Sequence, residues 1–340
     1  MAKGSKGQGT TMRILTAADI RRAVSMVDAI AAVKQAFAEL SAGRASVPVR
    51  TSIATEAYQG IALYMPAYLV SGPSLGVKAV TVYPTNAERG YPTIFATVLL
   101  LDATTGRPMA LLEGTYLTAL RTGAATGVAT DLLARREASR LCLLGAGGQA
   151  PCQLEAVCAV RHIEEAWVWS RHPEHASAFV EQVREQPFAH DVTFHLAGDP
   201  HDGVRNADII VTATPARTPL FAADTVHEGA HVNAIGAFTP DMIEIPQALV
   251  AQAKVVVDSR ESCLAEAGDL LIPMRQGVIA TTHVYAELGE IVAGEKAGRE
   301  SPTEITLFKS VGNAVQDLAV GHLALRCAER EGFGQVVEMS

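Results

Sequence analysis

The sequence predicts an α/β protein in which a doubly wound parallel sheet is joined to a second unit of helix and sheet. Two observations predict this fold. Six short β-branched runs between residues 141 and 259 alternate with helical segments, which is the rhythm of a parallel sheet with helices on both faces. Residues 47–112 instead contain successive strand-like runs separated by Gly, Pro and Asn. The two units therefore differ in architecture.

The first unit begins with a helix. Apolar residues follow Ser25 at helical spacing, Asp28 stands where a capping box places an acid, and Gly43 is a natural end. Five strand-like runs come next: VRTSIA, GIALYMPAYL, LGVKAVTVYP, TIFATVLLLD and PMALLEG. The Ala-rich stretch TYLTALRTGAATGVATDLLAR then predicts a helix that crosses between the two units.

The second unit is predicted from its alternation of strands and helices. Its six strand-like runs are LCLL, AWVWS, VTFHLA, ADIIVTATP, HVNAIGAF and AKVVVDS. Helices are predicted through QLEAVCAV and EHASAFVEQVRE. The stretch EITLFKSVGNAVQDLAVGHLALRCAERE reads as a strand and a long helix, and we expect that helix to return and pack on the first unit.

Composition and charge exclude several classes of partner. The 340 residues carry a net charge of −8, which argues against nucleic acid or an anionic membrane. No apolar run approaches the ~18 residues that span a bilayer, and the start MAKGSKGQGTTM lacks the apolar core of a secretory signal. We therefore expect a soluble cytoplasmic protein. Five cysteines without a CxxC pair predict reduced, buried thiols, and the ten histidines show no metal-ligand spacing, so no metal site is predicted.

A glycine-rich turn lies between LCLL and the next helix. It reads Gly145-x-Gly147-x-x-Ala150. Gly145 permits a tight turn, and Gly147 lets the backbone approach a pyrophosphate held by free N–H groups at the helix N-terminus. Pro151 is tolerated in a first helical turn, where the N–H has no intrahelical partner. The turn therefore predicts a Rossmann-type dinucleotide site.

The end of the second strand in this unit predicts which dinucleotide is bound. NAD sites usually place an acid there to accept from the ribose 2′-hydroxyl. This sequence has Ser170 and Arg171 instead. A charge-assisted contact of ~1.5–3 kcal/mol from Arg171 to a 2′-phosphate corresponds to roughly 10–100-fold preference. NADPH is therefore the predicted cofactor, with NADH as the alternative.

Seven motifs, in order, carry a resemblance to a known family. They are VPVRTS, GVKAVTVYP, TALRTGAATG, LLGAGGQA, VTATPARTP, VNAIGAFTPD and TLFKSVGNAVQDLA. Over about residues 13–335 the chain resembles the ornithine cyclodeaminase/mu-crystallin family. This resemblance implies hydride transfer between a nicotinamide and the carbon of an α-imino or α-amino acid. It also implies a homodimer whose Rossmann-type domain (126–312) is inserted into a split α+β substrate-binding and dimerisation domain (13–125 plus 313–340), after a disordered leader (1–12).

The resemblance also implies roles for individual residues. Arg50 and Lys78 would hold the substrate carboxylate, and Lys78 would be the catalytic proton donor or acceptor, with a pKa lowered by desolvation. Arg121 would face the nicotinamide or the substrate, and Val311 would close the substrate site. The predicted cofactor contacts are Thr93, Arg121, Gly145, Gly147, Gly148, Gln149, Ser170, Arg171, Thr212, Asn233, Ala234, Ile235 and Ser310.

One departure from the family pattern separates its branches. Cyclodeaminases and the alanine dehydrogenase carry an acid where this sequence has Phe238, and phenylalanine cannot transfer a proton. Asp241 has two interpretations that stay open: it replaces this acid, or Thr239-Pro240-Asp241 begins a helix. Lys309 in FKSVG and the stretch AEAGDLLIP resemble the reductase and mu-crystallin branch.

The resulting hypothesis is an NADPH-dependent ketimine reductase. It would convert Δ1-pyrroline-2-carboxylate to L-proline, and Δ1-piperideine-2-carboxylate would be a further substrate. One alternative is an ornithine cyclodeaminase or an alanine-dehydrogenase-type oxidoreductase. An alternative from another class is a mu-crystallin-like protein that binds NADPH and a small molecule with little catalysis.

Overall fold

The structure is a computed structural model that describes residues 10–70, 72 and 74–339. Its strands are β1 (Thr11–Leu15), β2 (Ala45–Ser46), β3 (Thr51–Thr55), β4 (Gly60–Leu69), β5 (Ser74–Val82), β6 (Ile94–Asp102), β7 (Pro108–Glu113), β8 (Arg140–Leu144), β9 (Glu165–Trp169), β10 (Thr193–Leu196), β11 (Ile209–Thr212), β12 (His231–Ala234), β13 (Lys254–Val257), β14 (Val284–Glu287), β15 (Thr306–Lys309) and β16 (Gln335–Glu338).

The helices connect and cover these strands. They are α1 (Ala17–Ala23), α2 (Met26–Ser41), α3 (Gly114–Leu133), α4 (Ala150–Val160), α5 (Pro173–Val183), α6 (Pro200–Asn206), α7 (Gln247–Gln252), α8 (Arg260–Glu266), α9 (Gly268–Arg275), α10 (Leu288–Val292) and α11 (Ala314–Glu331). Ser25 is the N-cap of α2, as its spacing from Asp28 predicted. Within the part of the chain described, no helix is long and apolar enough to cross a membrane.

The first sheet contains strands from both ends of the chain. Its order is β16-β1-β7-β6-β5-β4-β2, and β3 also pairs with β4. The predicted disordered leader (1–12) extends at least two residues too far, because Thr11 and Met12 belong to β1 and pair with β16. Residues 1–9 of that leader lie outside the described residues. Sequence patterning missed β1 and β16 because each is short and is completed only by long-range pairing.

The second sheet confirms the predicted doubly wound architecture. All its strands are parallel, in the order β10-β9-β8-β11-β12-β15-β13-β14. The six predicted runs are β8 to β13. The strand order reverses between β8 and β11, and ligands of open parallel sheets bind at the carboxyl ends of strands beside such a point. The Gly145 turn directly follows β8.

Two long helices join the sheets. α3 is buried on nearly all its sides, which explains why its sequence is small and apolar without a polar stripe. It packs against α2 and α4. α11 returns to the first unit and packs on α2, β4 and β5, as predicted. The boundaries drawn at residues 125 and 313 stay a prediction.

Candidate active site

A cavity of about 330 Å³ opens between the two sheets. The second sheet contributes residues that follow the carboxyl ends of β8, β11, β12 and β15, while the first sheet contributes one face of β4, β5 and β6. α3 forms a third wall. Its lining includes Arg50, Lys78, Arg121, Gly148, Gln149, Ile235, Phe238 and Val311.

Lys78 is a buried cation at the base of this cavity. It lies in the middle of β5 between Met65 of β4 and Val98 of β6, and it is only 3% exposed. Its Nζ lies 2.8 Å from Oδ2 and 3.1 Å from Oδ1 of Asp317 in the first turns of α11. Asp317 is the site carboxylate that the sequence interpretation missed.

Arg121 shares the same carboxylate. Its Nε donates to Oδ1 of Asp317 at 3.1 Å, and its Nη1 donates to the side-chain oxygen of Gln316. Gly312, with φ +80°, lies against this guanidinium, and a Cβ there would meet Nη1 at 2.6 Å. The left-handed backbone therefore favours glycine here, and a Cβ would also displace the Arg121 guanidinium from its position.

Arg50 enters the cavity from the segment before β3. Its Nη2 donates to the carbonyls of Val311 and Gly312 at 3.2 and 3.0 Å. The same nitrogen forms an ion pair with Glu266 at 2.9 Å. The two oxygens of the Asp258 carboxylate face Ser259 and the 310–312 turn, and Oδ2 accepts from Ser310, Val311 and Gly312. Arg50 is thus held by a turn that is itself tied to a buried acid.

These surroundings change the acidity of Lys78. Burial is the largest influence and lowers its pKa, the charge of Arg121 lowers it further, and Asp317 opposes both. Arg50 contributes a smaller lowering, and the resulting pKa is about 8. A buried lysine with a pKa near neutrality can hold or release a proton under ordinary conditions.

The remaining walls of the cavity are mainly apolar. Leu63, Val80 and Val82 lie on the sheet side, and Phe238 stands opposite at the mouth, 38% exposed. Asp241 does not line the cavity: it pairs with the exposed Arg217 at 2.7 Å and accepts from the Thr239 hydroxyl. The alternative that residues 239–241 begin a helix is wrong, because they form a turn.

The glycine turn has the geometry that a dinucleotide requires. Gly145 has φ +113°, and a Cβ there would meet the Ala213 carbonyl at 2.5 Å. By contrast, a Cβ on Gly147 or Gly148 would meet nothing within 4 Å, so packing does not explain these glycines and the space beside them is open. The buried side-chain oxygen of Gln149 lacks a hydrogen-bond partner among the described residues. The open space beside the glycine backbone fits a bound pyrophosphate, whose oxygens accept from N–H groups, and the Gln149 oxygen is left to accept from a donor of a ligand.

The predicted cofactor residues fall into separate groups. Gly148, Gln149, Ile235 and Ser310 line the cavity. Thr93, Ser170 and Arg171 lie outside its lining, towards the surface, and their contacts stay predictions.

Thr212, Asn233 and Ala234 do not line the cavity, because each lies beneath it and is fully buried, and their cofactor contacts stay predictions. Asn233 donates to Thr130 of α3, the Thr212 hydroxyl donates to Glu244, and the Ala234 carbonyl accepts from Lys309. These positions were identified by their place at strand ends, but tertiary packing gives their polar atoms protein partners.

Glu244 organises the loops under the predicted nicotinamide site. Its carboxylate accepts from the backbone of Thr214, Gly236 and Ala237 and from the hydroxyls of Thr212 and Thr214. Asp269 in turn accepts from the Glu244 backbone N–H and from Lys309 at 2.9 Å. The sequence interpretation missed both acids because only folding brings them to these loops.

The fold and this cavity define a nicotinamide-dependent oxidoreductase that acts on the carbon–nitrogen bond of imino or amino acids. The chain belongs to the ornithine cyclodeaminase/mu-crystallin family, whose pattern matches residues 10–327. The resemblance stated from seven motifs is therefore confirmed.

Individual relatives agree with this assignment. A Bacillus cereus protein named Δ1-pyrroline-2-carboxylate reductase is 44% identical over 96% of this chain and 100% of its own. The structure of Thermococcus litoralis Δ1-pyrroline-2-carboxylate reductase with NADH and L-proline is 44% identical, with a TM-score of 0.90 over 95% of this chain and 99% of that one. An archaeal alanine dehydrogenase dimer with bound NAD is 35% identical, with a TM-score of 0.89 over 97% and 100%.

Proposed function

We propose that this enzyme reduces Δ1-pyrroline-2-carboxylate to L-proline with NADPH, and that Δ1-piperideine-2-carboxylate is a further substrate. The observation that carries the proposal is the buried Lys78 ammonium, which shares a largely apolar cavity with Arg50 and Arg121. Similarity to the Bacillus and Thermococcus enzymes supports the choice of imine.

Arg50 is suited to bind the substrate carboxylate. All hydrogen bonds that the described residues make with its guanidinium use Nη2. Its Nε and Nη1 therefore remain as charged N–H donors for a carboxylate in the cavity. Lys78 and Arg121 add positive charge beside the same place, so the imine ring would lie over the apolar side chains of β4 and β5.

Lys78 is suited to supply the proton that reduction of an imine requires. A protonated imine accepts hydride far better than a neutral one, and the cofactor supplies that hydride when bound. With a pKa of about 8, Lys78 carries a proton at neutral pH and can release it to the imine nitrogen. Asp317 would then keep the neutral amine oriented through the hydrogen bond that Nζ donates to Oδ1 at 3.1 Å. Val311 and its turn close the carboxylate end.

Phe238 supports reduction over the cyclodeaminase and alanine-dehydrogenase alternatives. Loss of ammonia with ring closure needs proton transfers beyond the one that Lys78 performs. Among the described residues that line the cavity there is no carboxylate, and Asp241 is occupied by Arg217 outside it. Reduction of a preformed cyclic imine needs only the single acid.

The function is tested by following cofactor oxidation with Δ1-pyrroline-2-carboxylate and the purified enzyme. We expect fast turnover with NADPH and slower turnover with NADH. If NADPH binds but the imine is not turned over, the proposed substrate is wrong. If pyruvate with ammonia is reduced faster than the imine, the alanine-dehydrogenase alternative replaces it.

The NADPH preference rests on Arg171. The residue is exposed just after β9, and no acid stands in Trp169–His172 to repel a phosphate. Arg171→Ala should raise the KM for NADPH roughly 10-fold or more and leave the KM for NADH nearly unchanged. Arg184→Ala, which removes an exposed arginine at the far end of α5, is the matched control. Equal changes for both cofactors would contradict the phosphate contact.

We also propose that the enzyme is a homodimer formed by the first sheet. Ile53, Tyr64 and Phe95 share one face of this sheet by their pairing register and are 41–52% exposed. Lys78 and Val80 point to the opposite face, into the cavity. An apolar sheet face of this kind is suited to a second copy, and the archaeal alanine dehydrogenase is a dimer. A cytoplasmic location remains a prediction.

The dimer is tested by measuring the mass in solution. Phe95→Asp should give monomers, because it places a charge on the apolar sheet face proposed to meet the second copy. Val27→Asp alters a valine that is 63% exposed on α2 and should leave the mass unchanged. A monomeric parent protein would contradict the proposal.

A further inference from the structure

Glu266 lies behind Arg50, away from the main cavity. It ends α8, and its Oε2 is 2.9 Å from Nη2 of Arg50, with the two side chains only 17% and 15% exposed. The carboxylate borders a separate space of about 20 Å³ that also touches Arg50, Met65 and Gly312. It is therefore placed to act on the charge of Arg50 without contacting a ligand in the cavity.

The charges around the cavity are unequal in number. Arg50, Lys78 and Arg121 are cations, whereas Asp317 and Glu266 are the carboxylates paired with them. Within these ion pairs one positive charge is left over, and a single substrate carboxylate would balance it. The buried Asp258 carboxylate stands outside these pairs, and it accepts from Ser310, Val311 and Gly312 instead. A second carboxylate would have to enter among Leu63, Val80 and Phe238, where a charge without a partner is costly.

We propose that Glu266 is a specificity-determining residue that restricts the site to monocarboxylates by compensating one positive charge of Arg50. The inference rests on the proposed function for the role of Arg50 in binding a carboxylate. It goes further by assigning the exclusion of dicarboxylates to a residue outside the cavity. Without the charge of Glu266, the three cations and Asp317 would carry two net positive charges. A ligand with two carboxylates would then balance them.

Glu266→Gln removes the negative charge of this side chain and keeps its shape. Glutamine keeps the length of the side chain and an oxygen that can accept from Arg50, and the carbonyls of Val311 and Gly312 still hold Nη2. Glu261→Gln on the same helix is the matched control, because Glu261 is exposed and lies in the first turn of α8, away from Arg50.

The experiment measures the affinity of the enzyme with NADP⁺ for pyrrole-2-carboxylate and for pyrrole-2,4-dicarboxylate by calorimetry. Electrostatic energy scales with ligand charge and falls with distance, so an effect of about 5-fold on the monoanion implies a larger effect on the dianion, up to about 25-fold. Glu266→Gln should tighten binding by these factors at low salt, and added salt should reduce them. Glu261→Gln should change neither affinity.

The result that would overturn the proposal is weaker binding of both ligands by Glu266→Gln, or an equal change for both. Either outcome would make Glu266 a residue that only orients Arg50. Arg50→Gln tests the function on which the inference rests: it should abolish most of the affinity for pyrrole-2-carboxylate. If that affinity survives Arg50→Gln, or if the parent enzyme binds no pyrrole-2-carboxylate, the substrate assignment fails together with the inference.

Discussion

Two buried lysines lie on opposite sides of the cavity, and their surroundings differ. Lys78 extends from the first sheet and forms part of the cavity wall, at 3% exposure. Lys309 ends β15 in the second sheet and is completely buried under the loops that carry Ile235 and Gly236. Both are removed from water, so burial alone does not distinguish them.

Their partners do distinguish them. Burial lowers the pKa of Lys309, but Asp269 and Glu244 raise it by more, so the net shift is upward. Lys78 has one carboxylate, Asp317, which it shares with Arg121, and its pKa falls to about 8. The lysine surrounded by acids is a fixed charge that organises loops, whereas the lysine surrounded by cations is ready to give up its proton.

The sharpest test of this difference is Lys78→Met. Loss of a positioned general acid typically reduces rate by about 10²–10⁴-fold, so kcat for imine reduction should fall by that factor while the protein stays folded. Stopped-flow or steady-state cofactor oxidation measures it. Lys34→Met, on the exposed pair with Asp131, is the control. Unchanged kcat would remove Lys78 from the mechanism.

The corresponding change in the second lysine should act on stability. Lys309→Met leaves Asp269 as a buried charge without its ion-pair partner, which costs about 3–5 kcal/mol. The free energy of unfolding, measured with urea, should fall by that amount. The double variant with Asp269→Asn should recover part of the loss, because it removes the unpaired charge. If Lys309→Met alone lowers the free energy of unfolding only slightly, the structural role given to Lys309 is wrong, and so is its contrast with Lys78.

The pH dependence provides a third comparison. Lys78 donates only when protonated, so kcat/KM for reduction should fall as the pH rises through about 8. Asp317→Asn removes the carboxylate that raises the pKa of Lys78, so this decline should move to lower pH. The shift between the pH profiles of the parent enzyme and Asp317→Asn reports on Lys78, because any titration of the substrate affects both profiles equally.

Asp202→Asn, which alters an exposed acid on α6, is the control and should leave the profile in place. A profile that stays in place with Asp317→Asn would contradict the coupling between Asp317 and Lys78.

The smallest expected effect is that of Glu244→Gln. An amide nitrogen would replace one of the oxygens that accept from Thr214 or from Gly236 and Ala237, and the loops under the nicotinamide site would loosen. We expect about a 10-fold higher KM for the cofactor, equivalent to about 1.4 kcal/mol, with a smaller change in kcat. A change confined to kcat would place Glu244 in the chemistry instead.

Local sequence was sufficient for much of the fold. The cap at Ser25, the alternation of strands and helices after residue 140, and the return of α11 all follow from spacing and composition. The motifs also located Arg50, Lys78 and Arg121, which the structure brings to one cavity. The side chains of Asn233 and Thr212 are bonded to Thr130 and Glu244 instead of lining the cavity, because a position at the end of a strand does not determine which neighbour a side chain contacts.

The sequence by itself therefore determined the fold class, the glycine turn and the identity of the cations. Only the tertiary structure decided how those cations are compensated. Asp317 is separated from Lys78 by 239 positions and from Arg121 by 196, and Glu266 reaches Arg50 from a helix in the other unit. A short motif contains only residues that are neighbours along the chain. The pKa of a buried lysine depends instead on charges that only folding brings within a few ångströms.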